Sequence, residues 1–93
     1  MSPPSEICRC VAVYGHVQGV FFRHSVRERA QTAGVTGWIA NAEDGSVHAL
    51  LQGAPEAVAQ VIEFCHRGPD QARVQRVEVS ESECASRRRF EVR

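Results

Sequence analysis

Gly15 and Gly19 bracket the loop Gly15-His16-Val17-Gln18-Gly19, and Val20-Phe21-Phe22-Arg23 follows directly. Glycine lets backbone N–H groups turn inward and approach a ligand closely, and a helix starting behind such a loop adds unpaired N–H groups and a partial positive charge. The backbone amides of Gly15, His16, Val17, Gln18, Gly19 and Val20 are therefore a candidate nest for a small anion. Arg23 sharpens the case by its position, because a cation in the first helical turn faces the positive end of the dipole at a cost of a few tenths to about 1 kcal/mol. Its planar fork can hold two phosphate oxygens at once, as a lysine ammonium cannot. A plain turn with an ordinary surface arginine is the bland alternative, and the loop alone leaves both open. A second candidate, Asn41, closes the segment Trp38-Ile39-Ala40-Asn41 just before Asp44-Gly45. Its carboxamide both donates and accepts, although a strand-end asparagine also serves simply to satisfy the next turn. His16 and His24 are near enough to suggest acid–base chemistry, but His24 is one helical step from Arg23 and is expected to face another way.

The elements that must position these groups are readable from periodicity. Ile7, Val11 and Val13 alternate through a strand from Ile7 to Tyr14, which Gly15 breaks. Phe22, Val26, Ala30 and Ala33 then form the stripe of a helix, with Gly34 at its C-terminal cap. Strands at Val35–Asn41 and Ser46–Gln52 flank Asp44-Gly45 as an expected antiparallel hairpin. Pro55 and Glu56 open a second helix with Val58, Val61, Ile62 and Cys65 on its buried side, His66 and Arg67 near its end, and Gly68-Pro69 as its stop. A fourth strand near Arg73–Ser80 has Val74 and Val77 three apart, which predicts a bulge around Gln75-Arg76, and Arg87–Arg93 offers a short last strand whose arginines make a solvated edge. The order β-α-β-β-α-β plus a short terminal strand predicts an α+β, ferredoxin-like (split βαβ) sandwich, an antiparallel sheet with two helices on one face.

Composition narrows the function. The chain has 93 residues with 11 Lys+Arg against 11 Asp+Glu, and every cation is arginine. Schiff-base chemistry and the lysine-containing P-loop are excluded. Net neutrality argues against a broad nucleic-acid or membrane footprint, so no nucleic-acid and no membrane partner is expected and any bound anion should be small. The Ser46–Gln52 strand also lacks the stacking aromatic of ferredoxin-like RNA binders. No apolar run approaches the roughly 18 residues of a membrane span, and the first residues lack the cationic start of a secretory signal, so a cytoplasmic location is expected. In that compartment Cys8, Cys10, Cys65 and Cys84 are expected as thiols, with Cys8 and Cys10 on one strand face, and no C-x-x-C pair marks a metal site. Residues 1–6 are expected as a flexible N-terminal tail and residues 7–93 as one domain.

Taken together, Val17-Gln18-Gly19-Val20-Phe21-Phe22-Arg23, Gly34, Gly37-Trp38-Ile39-Ala40-Asn41, Asp44-Gly45, Gly53, Gly68-Pro69 and Phe90 closely resemble the acylphosphatase family, in order and spacing from about residue 9 onward. The resemblance implies a monomer that hydrolyses small-molecule acyl phosphates to a carboxylate and inorganic phosphate without metal or cofactor. By position, Arg23 and the amides of residues 15 to 20 match the family's phosphate cradle, and Asn41 matches the asparagine that positions the attacking water. His48 stands where many relatives carry a carboxylate, a departure that leaves both catalytic positions untouched. The chemistry is consistent with the residues. An acyl phosphate has a weakly basic leaving group, so it needs charge neutralisation and an in-line water more than a strong acid. A non-catalytic anion-binding or regulatory module on the same fold is the alternative. Gln18 and Val20-Phe21-Phe22 are expected to shape and pack the loop.

Overall fold

The computed structural model describes residues 5–93; residues 1–4 of the expected tail lie outside the described residues. The elements run β1 (Ile7–His16), α1 (Phe22–Ala33), β2 (Thr36–Asn41), β3 (Val47–Gly53), α2 (Pro55–Arg67), β4 (Arg73–Glu81) and β5 (Phe90–Val92). The sheet order is β4-β1-β3-β2-β5. The first four strands pair antiparallel, including the β2–β3 hairpin, but β5 lies parallel to β2. The four main strands thus form the expected antiparallel sheet, and the short terminal strand adds a parallel edge, because the chain leaves β4 at one edge and must cross the whole sheet to reach the other.

Alternation decides which face is covered. Val11 and Val13 of β1, Ile39 of β2, and Val47, Ala49 and Leu51 of β3 join Phe22, Val26 and Ala30 of α1 and Val58, Val61 and Cys65 of α2 in one buried cluster. Both helices thus lie on one face. In α2 the buried stripe takes in Phe64, while Ile62 is only partly buried. The Cys65 thiol is pushed up to about 12 by burial, so it is inert at neutral pH.

The expected bulge is present. Tyr14 pairs with Arg76 and Gly15 with Val74, leaving Gln75 as the extra residue. Gly15 has φ +130°, and a Cβ there would lie 2.1 Å from the Arg73 carbonyl oxygen, so only glycine lets the chain turn at this point into the loop.

The opposite face is crossed by residues 82–89. Ser82 N–H donates to the Cys8 carbonyl, Gly37 N–H donates to the Arg89 carbonyl, and the buried Gln52 carboxamide both donates to the Ala85 carbonyl and accepts from its N–H. Gln52 also donates to the Glu6 carboxylate, so Glu6 is engaged by the sheet. Arg87 to Arg89 belong to this crossover, and β5 begins only at Phe90, not at Arg87 as expected. The crossover sets Cys84 against Cys8 with their Cα atoms 5.3 Å apart, and the two form a disulfide, whereas Cys10 and Cys65 are free. This corrects the expectation of four thiols: the partner of Cys8 comes from 76 residues away, which no local spacing reveals.

A cross-link closing so long a loop restricts the unfolded chain, so reduction or Cys84→Ser should lower stability by up to about 4 kcal/mol. Urea unfolding with and without reductant measures this; coincident curves would show that the bridge does not constrain the unfolded state.

Candidate active site

The loop between β1 and α1 is pinned from below by Val17 and Val20, which are buried in the core. Between these pins Gln18 turns sideways, and its Nε2 donates to the carbonyls of Ala42, at 2.8 Å, and Ser46, at 2.9 Å. The loop is thereby tied to the β2–β3 turn. Among the described residues, the N–H groups of Val17, Gln18, Gly19 and Val20 are not donated to any backbone carbonyl. They sit beside the start of α1, where first-turn N–H groups are also unpaired. Gly15 and His16 are the last residues of β1, and His16 is exposed and outside the cavity described below.

The two helices begin in opposite electrostatic styles. In α2, Glu56 stands in the first turn and His66 and Arg67 in the last, as the dipole favours. In α1 the first turn has no acidic residue, no side chain caps it, and Arg23 stands there instead. Phe21, the residue before the helix, has φ +62° and is the only non-glycine with positive φ among the described residues. That conformation costs an L-residue about 1–2 kcal/mol. Its carbonyl accepts from Ser25 N–H to open the helix.

Arg23 and Asn41 line one cavity of about 370 Å³ together with Val17, Gly19, Phe21, Phe22, His24 and Val92. The two residues expected to act together are thus brought together, from the start of α1 and the end of β2. Arg23 Nη1 donates to the main-chain oxygen of Arg93 at 2.6 Å. Arg93 is itself held by its N–H to the Ile39 carbonyl and by its guanidinium over the Trp38 ring, 4.9 Å from the centroid. Sequence reasoning missed Val92 and Arg93, which no local signal could have placed 70 residues from Arg23. It also placed His24 away from the site; the structure puts His24 on the cavity wall, 3.5 Å from the Glu28 carboxylate. Phe21, expected to pack the loop, is instead 77% exposed at the cavity, while Val20 and Phe22 are buried as expected.

Asn41 is exposed, and the turn that follows it is internally bonded. Ala42 N–H donates to the Ser46 carbonyl and Gly45 N–H to the Ala42 carbonyl, and both the N–H and hydroxyl of Ser46 donate to the Asp44 carboxylate. The Ser46 hydroxyl and then its backbone N–H hold the Asp44 carboxyl below its ordinary 3.8. His48 Nε2 lies 3.0 Å from the same hydroxyl. The turn therefore carries its own support, and Asn41 has its carboxamide free of any side-chain hydrogen bond recorded among the described residues. Unpaired amides, a guanidinium and a carboxamide around one cavity can bind a tetrahedral anion and orient a water.

A model of the acylphosphatase family matches residues 9–92. The chain is 51% identical over 84 residues to an acylphosphatase of Rubrobacter xylanophilus, covering 89% of this chain and 76% of that one. It is 45% identical over 89 residues to an acylphosphatase of an Acidovorax species, covering 96% and 92%. The solved structure of an acylphosphatase from Coxiella burnetii superposes with a TM-score of 0.91 at 39% identity, over 95% of this chain and 93% of that one. With the fold, the glycine loop and both signature segments in place, the chain belongs to the acylphosphatase family.

Proposed function

We propose that this acylphosphatase holds the phosphoryl group of its substrate in the amides of residues 15 to 20 and the guanidinium of Arg23, and that Asn41 positions the attacking water. The observation that carries this division of labour is the single cavity shared by Arg23 and Asn41, with the unpaired loop amides at its edge. In a loose phosphoryl-transfer transition state, charge spreads over the equatorial oxygens, and fixed donors there act without reorganising. Arg23 has five donors, of which one hydrogen bond fixes the head against Arg93, so the fork enters the reaction already oriented. Asn41 has no useful basicity. Its carbonyl accepts one proton of the water and its NH₂ donates, and the proton released on attack passes to the substrate phosphate. The leaving carboxylate departs unprotonated, so neither His16 nor His24 is needed as an acid. Every group in this scheme comes from one chain, which supports action as a monomer. Net neutrality supports a small-molecule substrate over nucleic acid. The cytoplasm remains the proposed compartment, although the Cys8–Cys84 bridge favours oxidising surroundings.

Purified protein should release phosphate from acetyl or benzoyl phosphate in the presence of chelator, and Arg23→Ala and Asn41→Ala should each lower kcat/KM at least about 100-fold with folding intact. Asn41→Ala should still bind inorganic phosphate by calorimetry, and Arg23→Lys should bind it more weakly; equal binding losses would refute the assigned roles. Phosphate binding without turnover on any acyl phosphate would favour the non-catalytic module.

Gln18→Ala removes the tie between loop and turn, and kcat/KM should fall about tenfold or more while the unfolding midpoint moves little. A variant with wild-type kinetics would show that the loop holds its shape without the tie.

The lowered Asp44 pKa means that its contribution is complete above the ordinary carboxylate range and is lost as pH falls through the folded-state value. The gap in unfolding midpoint between wild type and Asp44→Ala should be present at pH 6 and should narrow as pH falls below the ordinary carboxylate value of 3.8. A gap independent of pH would mean that the carboxylate charge plays no part in the turn.

A further inference from the structure

Phe21 is not explained by the fold. Its backbone has φ +62°, and Val20 and Phe22 on either side of it both enter the core. That arrangement throws the intervening side chain outward and would suit glycine or asparagine at lower strain. A phenylalanine there adds strain and, at 77% exposure, recovers almost nothing by burial within the chain. Single exposed apolar side chains are ordinary, and Val79 on β4 is one. Phe21 differs in combining exposure with a strained backbone and a place on the wall of the catalytic cavity. Strain retained at a site without a packing return is the signature of a group kept for a ligand. Val92 of β5, 43% exposed, lines the same cavity, and no carboxylate is among the residues that line it.

We infer that Phe21, with Val92 of the same cavity, forms the platform for the acyl half of the substrate and selects acyl phosphates whose acyl group is aromatic or bulky and apolar. The inference rests on the acylphosphatase reading of the site and adds the end of the substrate which that reading leaves undescribed. The phosphoryl group, seated on the loop amides and Arg23, fixes one end. The carbonyl substituent then leaves through the mouth of the cavity, where the Phe21 face and the Val92 methyl groups exclude water from it. Offset stacking on Phe21 rewards a planar ring, whereas an acetyl group is too small to reach both walls. Because the contact involves the leaving acyl group and not the transferred phosphoryl group, Phe21 acts on substrate choice.

The test compares kcat/KM for benzoyl phosphate and acetyl phosphate in wild type, Phe21→Asn and Phe21→Tyr. Asparagine accepts the left-handed backbone without offering a ring, and tyrosine keeps the ring. The benzoyl-to-acetyl ratio should fall about tenfold in Phe21→Asn, equivalent to about 1.4 kcal/mol, and stay near wild type in Phe21→Tyr, whatever loss is common to both substrates. Competition by phenylphosphonate against methylphosphonate should change in parallel. The Phe21→Asn unfolding midpoint should equal or exceed that of wild type, since strain is relieved; a marked drop would show that Phe21 is kept for stability and overturn the inference. A ratio unchanged in Phe21→Asn, with wild type hydrolysing both substrates, also overturns it while leaving the catalytic reading intact. Wild type inactive on both substrates would remove the catalytic reading and this inference with it.

Discussion

The carboxamide of Gln18 donates into two carbonyls that belong to another part of the chain, those of Ala42 and Ser46. This contact joins the β1–α1 loop to the β2–β3 turn, and so joins the proposed phosphate-binding amides to the strand end that carries Asn41. A nest of N–H groups is useful only if its shape is kept when no anion fills it. Among the described residues, no backbone hydrogen bond is donated from Val17 to Val20 to keep that shape. Two buried valines fix its depth, and Gln18 fixes its lateral position. The turn it reaches is stiff in its own right, because Asp44 accepts twice from Ser46. Rigidity therefore passes from a turn carboxylate through a serine carbonyl and a glutamine amide to the loop, without any of these groups entering the cavity.

A second constraint acts on Arg23 from the far end of the chain. The short strand β5 is anchored to β2, and the main-chain oxygen of Arg93 holds the Arg23 guanidinium. The position of β5 depends in turn on residues 82–89, which cross the uncovered face of the sheet through the Gln52 carboxamide and the Cys8–Cys84 bridge. Gln52 is a buried polar group whose donors and acceptor are all occupied, as burial demands. The crossover is thus the route by which one edge of the sheet orients a side chain at the opposite edge.

Legibility in the sequence followed the range of the interactions. The α1 stripe, Gly34 cap, β2–β3 hairpin, α2 start and β4 bulge rest on periodicity and turn chemistry within a few residues, and they stand where those signals put them. The Arg23 and Asn41 pairing was legible through two signature segments read together. The contacts that were not legible, Cys8 with Cys84, Gln52 with Ala85 and Arg23 with Arg93, join residues 33 to 76 apart and depend on where the crossover runs. Nothing local in Arg87-Arg88-Arg89 distinguishes a strand from a lead-in to one. His24 was misplaced for a different reason: at the first turn of a helix that opens directly onto a cavity, adjacent positions share the cavity wall even though their side chains diverge farther along the helix.

Net neutrality and the proposed anion site coexist because the site depends on where one guanidinium and a few amides stand, not on the net charge of the chain. Arg76 pairs with Glu78, and Arg89 and Arg93 both pair with Glu91. Arg29 and Arg67 lie over Phe64. At the start of α2, Glu56 answers the helix dipole. At the start of α1 no carboxylate does so, and a guanidinium is added to the positive end. A protein optimised only for folding would place an acid there, as it does in α2. The fold instead leaves unpaired amides, dipole and Arg23 converging on one cavity, which supports the phosphoryl site proposed above. In the proposed mechanism these fixed donors hold the three equatorial oxygens in place while the bond to the leaving carboxylate loosens, and they do so without reorganising.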